Sequence, residues 1–265
     1  MVPGNRKGSR RIALTVQYDG TCFNGWQLQD NGRTVQGEIE AALKVLTRDN
    51  IRVVASGRTD TGVHAIGQVI HFNTTSSIPL QRLCIGMNGI LESDLSVKNA
   101  YNVDNTFHAR FSAIEREYRY LIYNNPQRSP FMRYRAMWAR EPLDVEYIND
   151  VLGHTVGEHD FASFCKKRSA SENENTVRSI NSARACMKGE YIEIKICGNA
   201  FLHNMIRIII GTVVEMGRKG YPPEHISEII AQKDRDAGGY TAPAYGLYLS
   251  RVMYDPGLET MDSAF

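Results

Sequence analysis

ASGRTDTGVHAIGQVIHF, residues 55–72, places a carboxylate between two glycines and then runs directly into an apolar strand. Gly57 and Gly62 flank Asp60, and Arg58 stands two residues before it. GQVIHF has strand character, so Asp60 is expected on a loop that feeds a strand. Toward the N-terminus, Ile12, Leu14, Val16 and Tyr18 alternate with Ala13, Thr15 and Gln17, a period of two that predicts another strand ending at the Asp19-Gly20 turn. Between the two strands, Thr34 is placed to cap a helix whose apolar residues Val35, Ile39, Ala42, Leu43 and Leu46 share one face. After them, Pro79 opens a helix carrying Leu80, Leu83, Met87 and Ile90, and a strand is expected over 97–103.

The second half repeats this mixture. EREYRYLIY (115–123) reads as a strand, 142–152 as a helix, and 178–187 with 191–197 as a hairpin about Lys188-Gly189. A helix over 201–216, another from Pro222 through Gln232 and a strand over 246–254 complete it, while the polar run at 166–176 is a loop. Strands interspersed with one or two long helices in each half predict an α+β protein of two similar lobes, each a mainly antiparallel sheet flanked by helices, with a cleft between them. The lobes are expected at 8–106 and 107–256.

Composition sets the bounds. At 265 residues, 42% hydrophobic and 23% charged, the chain has the makeup of a globular protein and excludes collagenous, coiled-coil and wholly disordered classes. A chain of this length buries roughly 70–75% of its unfolded surface and needs no disulfide to hold a core. Its five cysteines lack any C-x-x-C pair or zinc-ligand spacing and are expected as reduced thiols in the cytoplasm. The basic N-terminus leads into a strand rather than an apolar signal region, and the apolar run at 205–216 is too short to span a bilayer, so no membrane role is expected.

The net charge is only +2, but it is unevenly placed. From Phe107 to Arg140 there are seven arginines, at 110, 116, 119, 128, 133, 135 and 140, against Glu115 and Glu117. Arg6, Lys7, Arg10 and Arg11 form a second cluster, and Lys166, Lys167 and Arg168 a third. Any one of these reads as solvated surface. Together, and interleaved with Phe107, Phe111, Tyr118, Tyr120, Phe131 and Tyr134, they suit RNA, whose phosphates meet guanidinium groups and whose unpaired bases stack on rings.

Asp60, Arg207 and Tyr118 lead the candidate chemistry. Asp60 beside glycine is compatible with a plain Asx turn. The alternative is a nucleophile or base, kept charged by Arg58 or another nearby cation. Asp60-Thr61-Gly62 also spells the D-T-G of aspartic proteases, but those need two carboxylates sharing a proton, and the chain has no second copy. Arg207 puts a permanent charge in an otherwise apolar helix and demands an anion and satisfied donors. A structural partner and Asp60 of the other lobe are the two readings. Tyr118 offers a phenol flanked by arginines, or simply a strand tyrosine. His64 and His71, in the same stretch as Asp60, are each open to a role as base or ligand. The other histidines show no metal-binding spacing, and most are read as structural hydrogen-bonding groups.

YDGTCFNGWQ (18–27), RTVQGEIE (33–40), ASGRTDTGVHAIGQV (55–69), FHARFSA and REYRY (107–120), HDFASF (159–164), TVRSI (176–180), FLHNMIRIIIG (201–211) and TAPAYGL (241–247) occur in an order that resembles the TruA family of tRNA pseudouridine synthases. The resemblance runs from about Ile12 to Tyr254. It departs at Thr61, where many members have alanine, and at Ala244-Tyr245, where a proline-containing pair is usual. It implies isomerisation of uridine to pseudouridine at positions 38, 39 and 40 of the tRNA anticodon stem-loop, by a cytoplasmic homodimer that uses no cofactor or metal. It further implies Asp60 as the catalytic aspartate, Arg58 as the arginine that holds the extruded nucleotide's place and Arg207 as the aspartate's partner. Tyr118 would pack on the target uracil, Leu247 would line the pocket, and Phe107 and Arg110 would meet the substrate. The basic clusters alone would also permit a tRNA-binding protein or chaperone without catalysis.

Overall fold

The computed structural model describes residues 8–165 and 175–258. Arg6, Lys7, the Lys166–Arg168 cluster and most of the 166–176 loop expectation lie outside the described residues. The chain divides into two units. One runs through Ile114 and takes the chain back from Leu249; the other is Glu115–Tyr248. This differs from a break after residue 106 with everything to 256 in the second lobe. The reason is the last strand, whose hydrogen bonds return it to the first unit's sheet.

The first unit contains β1 (Arg10–Tyr18), α1 (Val35–Thr47), β2 (Val54–Ala55), β3 (His64–Thr74), α2 (Leu80–Ile90) and β4 (Leu95–Val103). β1 lies antiparallel between β4 and β3 and pairs Ile12 with Phe72 and Leu14 with Ile70. The short β2 adds to β3. Thr34 caps α1 by accepting the Gly37 N–H at 3.3 Å, a contact that contributes about 1 kcal/mol. Ile39 and Leu43 of α1 and Leu83 and Met87 of α2 are fully buried beside Ile12, Leu14, Ile70 and Phe72. Each such aliphatic side chain contributes roughly 1.5–3 kcal/mol by leaving water. Ile90, expected on this face, is instead 40% exposed because it sits in the last turn of α2.

The second unit contains β5 (Ala113–Asn124) from Glu115 onward, β6 (Met137–Ala139), α3 (Val145–Gly153), β7 (Gly157–Asp160), β8 (Val177–Lys188), β9 (Tyr191–Gly198), α4 (Met205–Lys219) and α5 (His225–Gln232). β5, β9, β8 and β7 follow one another in an antiparallel sheet. β6 joins β5 in parallel. The β8–β9 hairpin turns at Gly189, where φ is +63°. α4 begins four residues later than the apolar pattern predicts, since Asn204 takes a left-handed φ of +63° and ends the preceding turn. Its inner face, with Ile208, Ile209 and Val213, is fully buried, as are Ile192 and Ile194 of β9. β10 (Leu247–Tyr254) then leaves this unit and, from Leu249, runs beside β3 in the first.

The α+β class is that of the sequence expectation. All five cysteines are free thiols. Among the described residues, no helix is long and apolar enough to cross a membrane.

Candidate active site

In the first unit, the loop from Ser56 to Val63 carries Arg58 and Asp60 between β2 and β3. Its stem is closed by three hydrogen bonds. Ser56 N–H donates to Val69 O at 2.8 Å, Ser56 Oγ donates to Gln68 Oε1 at 2.6 Å, and Gln68 Nε2 donates to Gly57 O at 2.8 Å. At the tip, Val63 N–H donates to Asp60 O at 3.1 Å, and Gly62 takes a φ of +79°, a conformation that side chains disfavour. A tight turn therefore holds Asp60 half-buried, while Arg58 beside it is exposed. Of the two glycines that made the stretch conspicuous, Gly62 serves the turn, which also presents the carboxylate.

Phe107 and Arg110 belong to the same unit and differ in kind. Phe107 is 7% exposed, with its ring against His71 and Tyr254 and its carbonyl accepting from Arg11 Nη1 at 2.7 Å. That is a packing position, unlike the open stacking face the sequence suggested. Its neighbour Phe111 is the exposed ring at 76%, and the Arg110 guanidinium lies 5.6 Å from its centre. The preceding loop is held by His71, whose Nδ1 accepts the Ala109 N–H at 3.1 Å. Burial, then His108 and Arg11, push the His71 pKa down to about 4, so the ring stays neutral as an acceptor.

The second unit gathers Tyr118, Arg207 and Leu247. Tyr118 is buried on β5 with its ring edge-on to Phe201 at 5.3 Å. Two residues on, and so on the same face of the strand, Tyr120 donates its hydroxyl to Pro243 O at 2.9 Å. Burial raises the Tyr120 pKa, which keeps this donor protonated. Gly246 lies so close to the Tyr120 ring that a Cβ there would stand 2.6 Å from it. These contacts fix the segment 241–247 and hence Leu247, 6% exposed at the start of β10. Arg207, in the first turn of α4, is half-buried. Its Nε donates to Ala242 O and its Nη1 to Asn204 Oδ1, both at 2.8 Å, and Ala242 N–H donates to Arg207 O at 3.0 Å. The helix charge is thus met partly by a backbone carbonyl and a side-chain amide of its own unit, partners that periodicity does not reveal.

Basic and aromatic side chains also crowd the surface of this unit. Phe131 is 88% exposed, Tyr134 has Arg133 over its ring at 5.0 Å, and Arg128, Arg135 and Arg140 are exposed nearby in sequence. Among the described residues, no group of three His, Cys, Asp or Glu side chains is arranged to hold a metal ion.

A family model described as tRNA pseudouridine synthase matches residues 14–112 and 152–255. These segments include Arg58, Asp60, Phe107, Arg110, Arg207 and Leu247, while Tyr118 falls in the interval between them. The tRNA pseudouridine synthase A of Bacillus licheniformis is 44% identical over 247 residues, covering 92% of this chain and 99% of that protein. The protein of the same name from Bacillus subtilis has the same identity and coverage. That of Halalkalibacterium halodurans is 45% identical over 243 residues, 91% of this chain and 92% of its own.

Proposed function

Because the chain belongs to the TruA family of tRNA pseudouridine synthases, we propose that it isomerises uridine to pseudouridine at positions 38, 39 and 40 of the tRNA anticodon stem-loop, with Asp60 as the indispensable carboxylate. The observation that carries this reading is the loop itself, a glycine-closed turn that presents Asp60 half-buried beside an exposed arginine, within a matched family segment.

The reaction breaks the N1–C1′ bond, turns the uracil and joins C5 to C1′; C5 loses its proton and N1 gains one. No electron acceptor and no energy source enters this balance. A uracil stacked in a stem cannot reach the carboxylate, so it is extruded at a cost of a few kcal/mol, offset by stacking and backbone contacts. Arg58, exposed on the loop, is suited to hold the vacated place. The resemblance assigns Tyr118 to the flipped base, Leu247 to the apolar wall and Arg207 to the aspartate as its partner. Asp60 attacks C1′ with departure of uracil N1, or adds to the uracil ring; in a glycal route the C2′ proton is removed, with help from Tyr118, as the N1–C1′ bond breaks and is returned as C5 joins C1′. Arg110 with exposed Phe111, and the arginines around Phe131 and Tyr134, suit phosphates and unpaired bases. Phe107 supports that loop from the core. The reading also takes the protein as a cytoplasmic homodimer, as the resemblance implies, and sedimentation velocity tests the dimer.

Tritium release from a tRNA transcript labelled at uracil C5, in EDTA and without cofactor, tests the reading. Wild type is expected to release label from positions 38–40 and Asp60→Asn to release none while retaining tRNA affinity. Tight binding of several tRNAs with no release by the wild type would favour the non-catalytic tRNA-binding protein instead.

A further inference from the structure

YDGTCFNGWQ, residues 18–27, takes no part in the chemistry just described, yet it grips the backbone on both sides of Asp60. Tyr18, the buried last residue of β1, has its hydroxyl 2.8 Å from the Oγ1 of Thr59, the residue immediately before Asp60. Trp26 N–H donates to Thr59 O at 3.0 Å. Gly25, with φ +80°, approaches so closely that a Cβ would stand 2.7 Å from Thr59 O and 3.1 Å from the Asp60 carbonyl carbon. Beyond the turn, Gly20 N–H donates to His64 Nδ1 at 3.0 Å, and a Cβ on Gly20 would stand 2.0 Å from Val63 O. The gripping segment is itself braced. Asp19 N–H donates to Asp94 O at 2.9 Å, Arg33 pairs with the Asp94 carboxylate at 2.5 Å, and the Arg33 guanidinium lies 4.3 Å over the buried Phe23 ring.

We propose that Tyr18 and His64 are positioning residues for Asp60, fixing the turn from the residue before it and from the strand that follows it. The inference rests on the reading of Asp60 as the catalytic carboxylate. Tyr18 acts through Thr59; His64 acts by accepting the Gly20 N–H and locking residue 20 against Val63. The same Nδ1 lies 3.1 Å from Asp19 Oδ1, so His64 meets residues 19 and 20 through one ring atom. Asparagine can bring an oxygen close to the Nδ1 position, so His64→Asn preserves the contact that His64→Leu removes. Displacement of a reacting group by about 1 Å costs on the order of 100-fold in rate. Loss of the Tyr18 or the His64 contact is expected to lower kcat about 10- to 100-fold.

The test uses the full chain and the tritium-release assay, with filter binding for tRNA affinity and thermal melts to set a temperature at which every variant is folded. Tyr18→Phe and His64→Leu are expected to lose kcat by that factor with tRNA Kd within about twofold of wild type, and His64→Asn to regain most of the loss. A purely structural role would lower the melting temperature and leave kcat per folded molecule unchanged. Wild-type kcat in Tyr18→Phe and His64→Leu, alongside an inactive Asp60→Asn, would overturn the positioning role alone. Full activity in Asp60→Asn would overturn the reading of Asp60 and this inference with it. Should His64→Leu fail to fold, Tyr18→Phe decides, because it deletes a single hydroxyl.

Discussion

Gly211→Ala in α4 should damage the second unit even though alanine is the better helix former. Gly211 faces the segment that holds Arg207, and a Cβ there would stand 1.8 Å from Tyr240 O and 2.9 Å from the Tyr240 carbonyl carbon. Real Cβ contacts essentially never fall under 3.0 Å, so the carbonyl must retreat by at least about 1.2 Å. Helix propensity returns about 1 kcal/mol in alanine's favour. Against it stand overpacking, at roughly 1–3 kcal/mol, and the hydrogen bonds that the retreat strains. These are Arg207 Nε to Ala242 O, Ala242 N–H to Arg207 O, and Gly239 N–H to Thr212 Oγ1, each contributing about 0.5–1.5 kcal/mol. With the three bonds weakened and not broken, the net expectation is a loss of roughly 2–3 kcal/mol, or ~4–12 °C in melting temperature for a chain of this size. Because Ala242 O orients the guanidinium, kcat in the tritium-release assay should also fall by about 10-fold or more. Circular dichroism melts and the release assay read the two effects. A variant that melts at or above wild type with unchanged kcat would refute the close packing of α4 on residues 240–242 as the support of Arg207.

Gly89→Ala in α2 makes the opposite case: a Cβ there meets nothing within 4 Å, so the same substitution should raise stability by about 0.5–1 kcal/mol, measured by urea titration. Tyr120→Phe removes the donor to Pro243 O at 2.9 Å and leaves that carbonyl without its partner, an expected cost of about 1–3 kcal/mol in the same titration. His71 gives a pH signature. Its folded pKa, about 4, lies below the ordinary 6.5, so the unfolded chain binds a proton in that window that the folded chain refuses. Its stabilising contribution is complete above pH 6.5 and is lost as pH falls toward 4. Denaturation midpoints at pH 7 and pH 5 should therefore differ less in His71→Asn than in wild type.

Long periodic segments were legible because burial and periodicity agree in them. The alternation at 12–18, the helix after Thr34 and the hairpin about Gly189 stand where the pattern placed them. The apolar pattern overran at the start of α4, since Phe201 and Leu202 fit its apolar face but Asn204 turns left-handed. β6 and β7, three and four residues long, carry too little alternation to register. At the site, residue types marked Asp60 and Arg58 on one loop. What holds them was hidden, because Tyr18 and Thr59 lie 41 positions apart and Gly20 and His64 lie 44 apart. Phe107 and Phe111 look alike in FHARF, and only packing separates a buried support from an exposed ring.

The return of β10 to the first unit has a consequence for synthesis. Glu115–Tyr248 is in effect an insertion between two parts of one unit, so a growing chain can supply every residue of the second unit before the first has its last strand. Until residues 249–254 leave the ribosome, β3 lacks its β10 partner and presents unpaired backbone groups to whatever is nearby. The usual order, in which the N-terminal unit matures first as the chain emerges, is therefore inverted. The unit that carries Asp60 is finished last, and a chain cut short after Tyr248 would retain the whole Asp60 loop on a sheet missing one of its strands.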